Sequence, residues 1–275
     1  MSMTTTVFRL DGVSFSYQGR HEALKSVDLE IAQGEQLIIL GANGCGKSTL
    51  LKMLDGLYRP TDGRITAFDE DITDVADDPS RARELHRRVG LVFQDPDVQL
   101  FSPTVYDDVA FGPLQMGWSE EDVRRRVGIA LEQMNVTHLS DRAPYELSGG
   151  EKKRVAIATV LSMEPDVILL DEPTASLDPR SSAMLVDVIA GLRDLGKTVV
   201  LTTHQLEIVP MLATRVVVFG DQERRPVASG SAEEILSNKE LLVRTNLVHE
   251  HLHYHGETAH SHLHSHDHHY HDEKP

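Results

Sequence analysis

Short apolar runs set between polar turns give this chain its pattern. Residues 7–10 and 13–17 predict two short strands of an N-terminal sheet, and residues 27–31 with 36–40 predict a further strand pair. The chain turns glycine-rich at Gly41, and residues 47–55 predict a helix with Gly56 as its C-terminal stop. A strand over 89–93 follows. Residues 95–163 read as mostly helical, punctuated by Pro96, Pro103, Gly112, Pro113 and Gly117. Strand and helix then alternate: strand 167–170, helix 181–195, strand 198–202, a helix near 205–212 and strand 215–219. This order predicts a doubly wound α/β core interrupted by a helical insertion. The strongest apolar runs, 37–40, 167–170 and 216–219, have strand length, far short of the ~20 residues that cross a bilayer. The opening MSMTTTVFRLDG lacks the basic segment and long apolar centre of a signal peptide.

Three local patterns carry chemistry. Gly41-Ala42-Asn43-Gly44-Cys45-Gly46-Lys47-Ser48-Thr49 is a GxxxxGK[ST] run between a predicted strand and a predicted helix. Its glycines let successive backbone N–H groups curl around phosphates, and the helix start adds its dipole. Lys47 would reach the β- and γ-phosphates of ATP, and Ser48 would hold Mg²⁺. Residues 167–173, Val-Ile-Leu-Leu-Asp-Glu-Pro, end an apolar strand in two carboxylates. Asp171 would act on Mg²⁺, directly or through water, and Glu172 would polarise the attacking water as general base. Alone, such a strand end reads equally well as solvated; the phosphate loop upstream favours the chemical reading. Third, Leu147-Ser148-Gly149-Gly150-Glu151 precedes a predicted helix over 152–161 and offers an anion nest at its start. Cys45, the one cysteine, excludes an internal disulfide and fits a reducing compartment. Lys47 and the helix start bias its thiol towards thiolate, although filling a small-residue slot is the simpler role.

Together these patterns resemble the ABC ATPase family, and the resemblance implies the rest of a site. In that family the LSGG motif completes the ATP site of the opposite subunit, which assigns Ser148, Gly149 and Gly150 to a partner's nucleotide. Tyr17 stands where the adenine-stacking aromatic belongs, and Gln94 ends a strand as the Q-loop glutamine beside Mg²⁺. Ser176-Leu177-Asp178 looks like the D-loop, and His204 looks like the switch histidine that contacts the γ-phosphate. Taken singly, Tyr17 reads as a strand aromatic, His204 as a capping or solvated histidine, and Gln94 as unremarkable. The ordered set from 17 to 204 promotes them. The implied fold is α/β: a P-loop NTPase core of ABC ATPase type with an N-terminal antiparallel β-subdomain and a helical subdomain inserted at about 95–163. Residues 1–245 form that domain. A head-to-tail homodimer would close two sites around two Mg·ATP.

Residues 95–113 are similar to the energy-coupling-factor branch of the family, which powers uptake of vitamins and transition-metal ions. This region of the family receives a coupling helix from a membrane partner. Phe101, Val105, Tyr106, Val109 and Phe111 therefore either meet that helix or pack the insertion's own core. The end of the chain, 246–275, reads as a flexible tail carrying His249, His251, His253, His255, His260, His262, His264, His266, His268, His269 and His271. Imidazoles so spaced gather around Co²⁺, Ni²⁺, Cu²⁺ or Zn²⁺. A purification tag would run unbroken, whereas Glu, Asp, Tyr and Leu interrupt this one; an inert tail is the other reading. Both features resemble the cobalt/nickel-uptake branch. That resemblance implies a membrane coupling subunit, a substrate-specific membrane subunit and a place on the cytoplasmic face of the membrane. The expected function is ATP-driven import of cobalt or nickel. An importer of a vitamin or other solute, and a metal-storage protein with incidental ATPase activity, are the alternatives. Net charge of −16 excludes the basic surface a nucleic-acid binder needs.

Overall fold

The computed structural model describes residues 5–255 and 258–265. β1 (Thr6–Tyr17) runs antiparallel to β2 (His21–Ala32). The two strands expected over 7–10 and 13–17 are one: the ladder shifts register between Leu10 and Val13, where Gly12 takes a φ of 60°, and then resumes. β3 (Gln36–Leu40) does not pair with β2, as the expected strand pair required. It is buried at every position, and a strand covered on both faces belongs in a parallel sheet.

α1 (Lys47–Leu54) is followed by Gly56 at φ 75°, the expected stop, where a Cβ would meet Val75 Cγ1 at 2.5 Å. The apolar pattern does not predict what comes next. β4 (Asp62–Ala67) and β5 (Glu70–Asp71) complete a four-stranded sheet in the order β2-β1-β4-β5. α2 (Pro79–Arg88), capped by the Asp78 carboxylate and opened by proline, leads into β6 (Val89–Val92). Within the expected helical stretch lie α3 (Val105–Gln115), α4 (Glu120–Gln133) and α5 (Gly149–Leu161).

The second sheet has the order β10-β9-β3-β8-β7-β6. β7 (Val167–Asp171), β8 (Thr198–Thr203) and β9 (Arg215–Phe219) are parallel to β3 and β6, while β10 (Pro226–Gly230) closes one edge antiparallel. Successive residues of each strand serve opposite cores. Leu37, Ile39, Leu169 and Phe219 pack with α1 and the antiparallel sheet. Ile38, Leu40, Leu170 and Val218 pack with the helices, including α6 (Pro179–Asp194). The helix expected near 205–212 is shortened to α7 (Val209–Leu212), because Gln205 bonds Thr203 and Thr174 instead of starting a helix.

α8 (Ala232–Ser237) and α9 (Lys239–Arg244) follow β10. Leu247 and Val248, placed in the tail by the sequence pattern, are buried in the core. The expected flexible tail is replaced over part of its length by an antiparallel ladder, β11 (Val248–His255) with β12 (Thr258–Ser265). The reason is local: a His-x-His alternation has the period of a strand. Its register sets His249 opposite His264, His251 opposite His262 and His253 opposite His260. His266, His268, His269 and His271 lie outside the described residues. No helix among the described residues is long and apolar enough to cross a membrane.

Candidate functional site

The carboxyl ends of β3, β7 and β8 converge on a cleft of about 620 Å³, the place where a parallel α/β sheet holds ligands. After β3 the chain curls through the glycine loop into α1. Gly46 has φ 108°, and a Cβ there would lie 2.4 Å from Ala23 O, so only glycine fits. Lys47 Nζ donates to Gly41 O at 2.7 Å and Ala42 O at 3.2 Å, and lies 3.1 Å from Glu172 Oε1.

Glu172 follows β7 with φ 45°, a strained conformation for a residue with a side chain. Its N–H is fixed by Thr202 O and Thr202 Oγ1, each at 3.1 Å. Its Oε2 is 3.0 Å from His204 Nδ1. Burial disfavours the charged carboxylate, but the His204 hydrogen bond and the Lys47 charge outweigh it and hold the group below the usual carboxylate range. The preceding residue, Asp171, accepts at Oδ1 from Ser48 Oγ at 2.9 Å and from Thr202 Oγ1 at 2.7 Å. Hydroxyl and carboxylate oxygens gathered beside a phosphate loop are the donor set a hard divalent cation takes.

Around this centre the cleft is lined by Tyr17, Asn43, Gly44, Ser48, Thr49 and Gln94. Tyr17 is 38% exposed, with its OH 2.9 Å from Thr49 Oγ1 and its ring edge-on to Phe15 and Tyr58. Cys45 does not face the cleft. Its thiol is wholly buried with Leu24 and Phe219 in the core beneath the loop, and burial raises its pKa against the opposing influence of Lys47. The expected bias towards thiolate is thereby reversed, because the helix-side charge is weaker than the loss of water.

Ser148, Gly149, Gly150 and Asp178, also expected at a nucleotide, lie outside this cleft. Ser148 is exposed and caps α5 in a reciprocal pair with Glu151, while Gly149 and Gly150 form the first turn. Asp178 caps α6, accepting from the N–H groups of Arg180 and Ser181 at 3.0 Å each. Three residues the sequence did not mark belong to the site. Thr202 donates to the Asp171 carboxylate and accepts from the Glu172 N–H. Arg224, in the turn between β9 and β10, lines the cleft and donates to Gly44 O. Lys153 of α5 donates to Gln94 O at 3.1 Å and Glu172 O at 3.2 Å. None stands in a recognisable motif, and the turn and the helix acquire meaning only in three dimensions.

The segment after Gln94 divides cleanly. Val105 and Val109 are fully buried and Tyr106 packs against that core. Phe101 and Phe111 are 66% and 44% exposed, edge-to-face at 5.0 Å, and line an apolar groove of about 370 Å³ with Leu57, Met116 and Met163. Val105, Tyr106 and Val109 therefore build the core, and Phe101 and Phe111 form an exposed apolar patch.

The family pattern described as "ABC transporter" matches residues 24–175. The "Nickel import ATP-binding protein NikO" of Rhodobacter capsulatus is 46% identical over 248 residues, 89% of this chain and 96% of that protein. Among solved structures, cbiO1 from Clostridium perfringens, described as part of the ABC transporter complex cbiONQ, superposes with a TM-score of 0.76 at 38% identity, covering 88% of this chain and 95% of that one. The dimeric ATP-binding cassette MJ0796, in a post-hydrolysis state with ADP and Pi, superposes with a TM-score of 0.73 at 30% identity, covering 82% of this chain and 98% of that one.

Proposed function

The chain belongs to the ABC transporter family, and we propose that it powers import of a transition-metal ion, nickel or cobalt, as one of two identical ATPase subunits. It is an ABC-type ATP hydrolase, the ATP-binding subunit of an importer. The observation that carries the proposal is the grouping of Lys47, Glu172 and His204 in one cleft, with Ser148 exposed outside it.

The Lys47 amine is the ion partner of Glu172. Phosphates entering the loop offer Lys47 a more highly charged partner. Glu172 Oε1 is then released while His204 still holds Oε2, and the carboxylate can take a proton from the attacking water. Ser48, Asp171 and Gln94 would hold Mg²⁺, which when bound neutralises phosphate charge. Tyr17 at the cleft mouth would stack on adenine. Gly41, Asn43, Gly44, Gly46 and Thr49 shape the loop. Ser148, Gly149 and Gly150, with Asp178, would complete the site of a second copy, and a twofold head-to-tail homodimer closes both sites.

Phe101 and Phe111 would receive an apolar helix of a membrane coupling subunit, and the chain would then sit at the cytoplasmic face of the membrane. A separate substrate-specific membrane subunit would select the ion. The similarity to NikO supports a metal, and the alternating histidines of the sequence from 249 to 271 support capture of a borderline ion. The test is uptake of labelled Ni²⁺ and Co²⁺ by vesicles holding the reconstituted complex. Uptake is expected with this chain and lost with Lys47→Ala; transport of neither ion beside active transport of another solute overturns the metal assignment. Calorimetric titration of a form lacking 249–275 locates the binding: most Ni²⁺ and Co²⁺ binding is expected to vanish with that segment.

A further inference from the structure

We propose that Lys153 is a positioning residue that links the two ATP sites of the dimer. The inference rests on the split-site reading above. α5 begins at Ser148, whose exposed end is assigned to the partner's nucleotide. Five residues on, about 140° further round the helix, Lys153 is buried, with 8% of its surface exposed. Its amine bridges two carbonyls, Gln94 O at 3.1 Å and Glu172 O at 3.2 Å. These belong to Gln94 and Glu172, the residues assigned above to the metal and to the attacking water.

A buried lysine is costly unless its amine is used, and here it is used on a strained backbone. Glu172 has φ 45°, so the orientation of its carboxylate depends on what fixes its peptide groups. Thr202 fixes the N–H side and Lys153 the C=O side. The segment after Gln94 is also tied to α5. Lys152 Nζ is 2.6 Å from Asp97 Oδ1, and Gln99 Nε2 donates to Ala156 O at 2.9 Å and Thr159 Oγ1 at 2.8 Å. Among these ties, Lys153 is the one that reaches across to Glu172. A shift of α5 when its start engages the partner's nucleotide is therefore delivered to Glu172 of this chain. Nucleotide at one site then sets the geometry of the base at the other, a coupling that appears as positive cooperativity.

The test uses the full chain with Mg·ATP. Hydrolysis against ATP concentration is expected to give a Hill coefficient above unity in the wild type and near unity in Lys153→Met, with Lys153→Arg retaining cooperativity. ATP affinity measured beside the rates separates weakened binding from lost cooperativity. In nucleotide-free protein, amide exchange at 94–97 and 172–175 is expected to quicken about tenfold in Lys153→Met, with β3 and β8 unchanged. Should Lys153→Met fail to fold, Lys153→Gln serves, since it keeps a donor but falls short of both carbonyls. A wild-type coefficient of unity, unchanged cooperativity in the variant, or faster exchange throughout the sheet overturns the proposal. Wild-type hydrolysis by Ser148→Arg homodimers shows instead that the split-site reading has failed, and the proposal falls with it.

Discussion

Lys47 Nζ stands 3.1 Å from Glu172 Oε1, with both side chains only 5% exposed. The residue proposed to grip phosphate and the residue proposed to activate water are each other's ion partner. Removing one member of a close buried ion pair is costly, because the other charge is left buried without a partner. The carboxyl pKa is depressed, so the pair contributes stability above the unfolded glutamate value and loses it as pH falls through the lower folded value.

Glu172→Gln is expected to lower turnover by about 10²- to 10⁴-fold, the usual contribution of a general base, while ATP still binds. The variant loses the ion pair to Lys47, but Lys47 keeps its bonds to the Gly41 and Ala42 carbonyls, so Mg·ATP should hold the variant as a closed dimer. Size-exclusion chromatography with and without Mg·ATP reads the shift. Hydrolysis near the wild-type rate would remove Glu172 from its role.

Ser148→Arg places a bulky cation at the exposed start of α5 and should act in trans. The variant is expected to bind ATP through its own Lys47 yet hydrolyse poorly as a homodimer. Combined with Lys47→Ala chains, both lesions fall in one composite site of the mixed dimer. The other site stays whole, so about half the activity should return if the sites work independently. Nucleotide binding measured beside the rates separates this from misfolding.

What the sequence made legible follows from where its information is local. The loop from Gly41 to Thr49 and the strand ending at Asp171 were readable because residue type, spacing and neighbouring elements are adjacent in the chain. β3 was misassigned to its neighbour because a short buried strand does not say which edge it will join. The segment from 57 to 88 went unread: β4 and β5 are short and mostly exposed, and α2 buries Leu85 alone, so neither period is strong. Arg224, Thr202 and Lys153 were invisible for another reason. Each acts on a backbone carbonyl or carboxylate brought near by the sheet, 19 to 180 residues away in sequence.

Asp55 lies at the end of α1, 6% exposed, and burial pushes its carboxyl well above the usual range. His86 Nε2 is 3.6 Å from Oδ2, too far for a hydrogen bond. A raised folded pKa means that ionisation favours the unfolded chain, so stability declines as pH rises from the unfolded aspartate value towards the folded one. Asp55→Asn removes that loss. Thermal unfolding is expected to show a gain of about 2–4 °C near neutral pH, for roughly 1 kcal/mol in a domain of this size. Little gain is expected near pH 4, close to the unfolded carboxyl's own pKa. Equal gains at both pH values would show that packing, not charge, governs the site.

Cys45 tests whether the glycine loop keeps its shape in solution. The residue sits two positions before Lys47, yet its thiol is wholly buried beneath the loop and its pKa is raised by that burial. Nucleophilic attack needs both exposure and thiolate, and the folded chain denies both. Maleimide is therefore expected to label the native protein slowly and the urea-unfolded protein at once, with mass spectrometry counting the adduct. The label that does enter should abolish hydrolysis, since Gly41 leaves no room: even a Cβ there would lie 2.5 Å from Cys45 Sγ. Cys45→Ser should remove labelling and retain activity, at a stability cost of about 1–3 kcal/mol for a hydroxyl set among apolar side chains. Rapid labelling of the native chain would mean that the loop opens often enough to expose its underside, and that the phosphate cradle forms only when nucleotide binds.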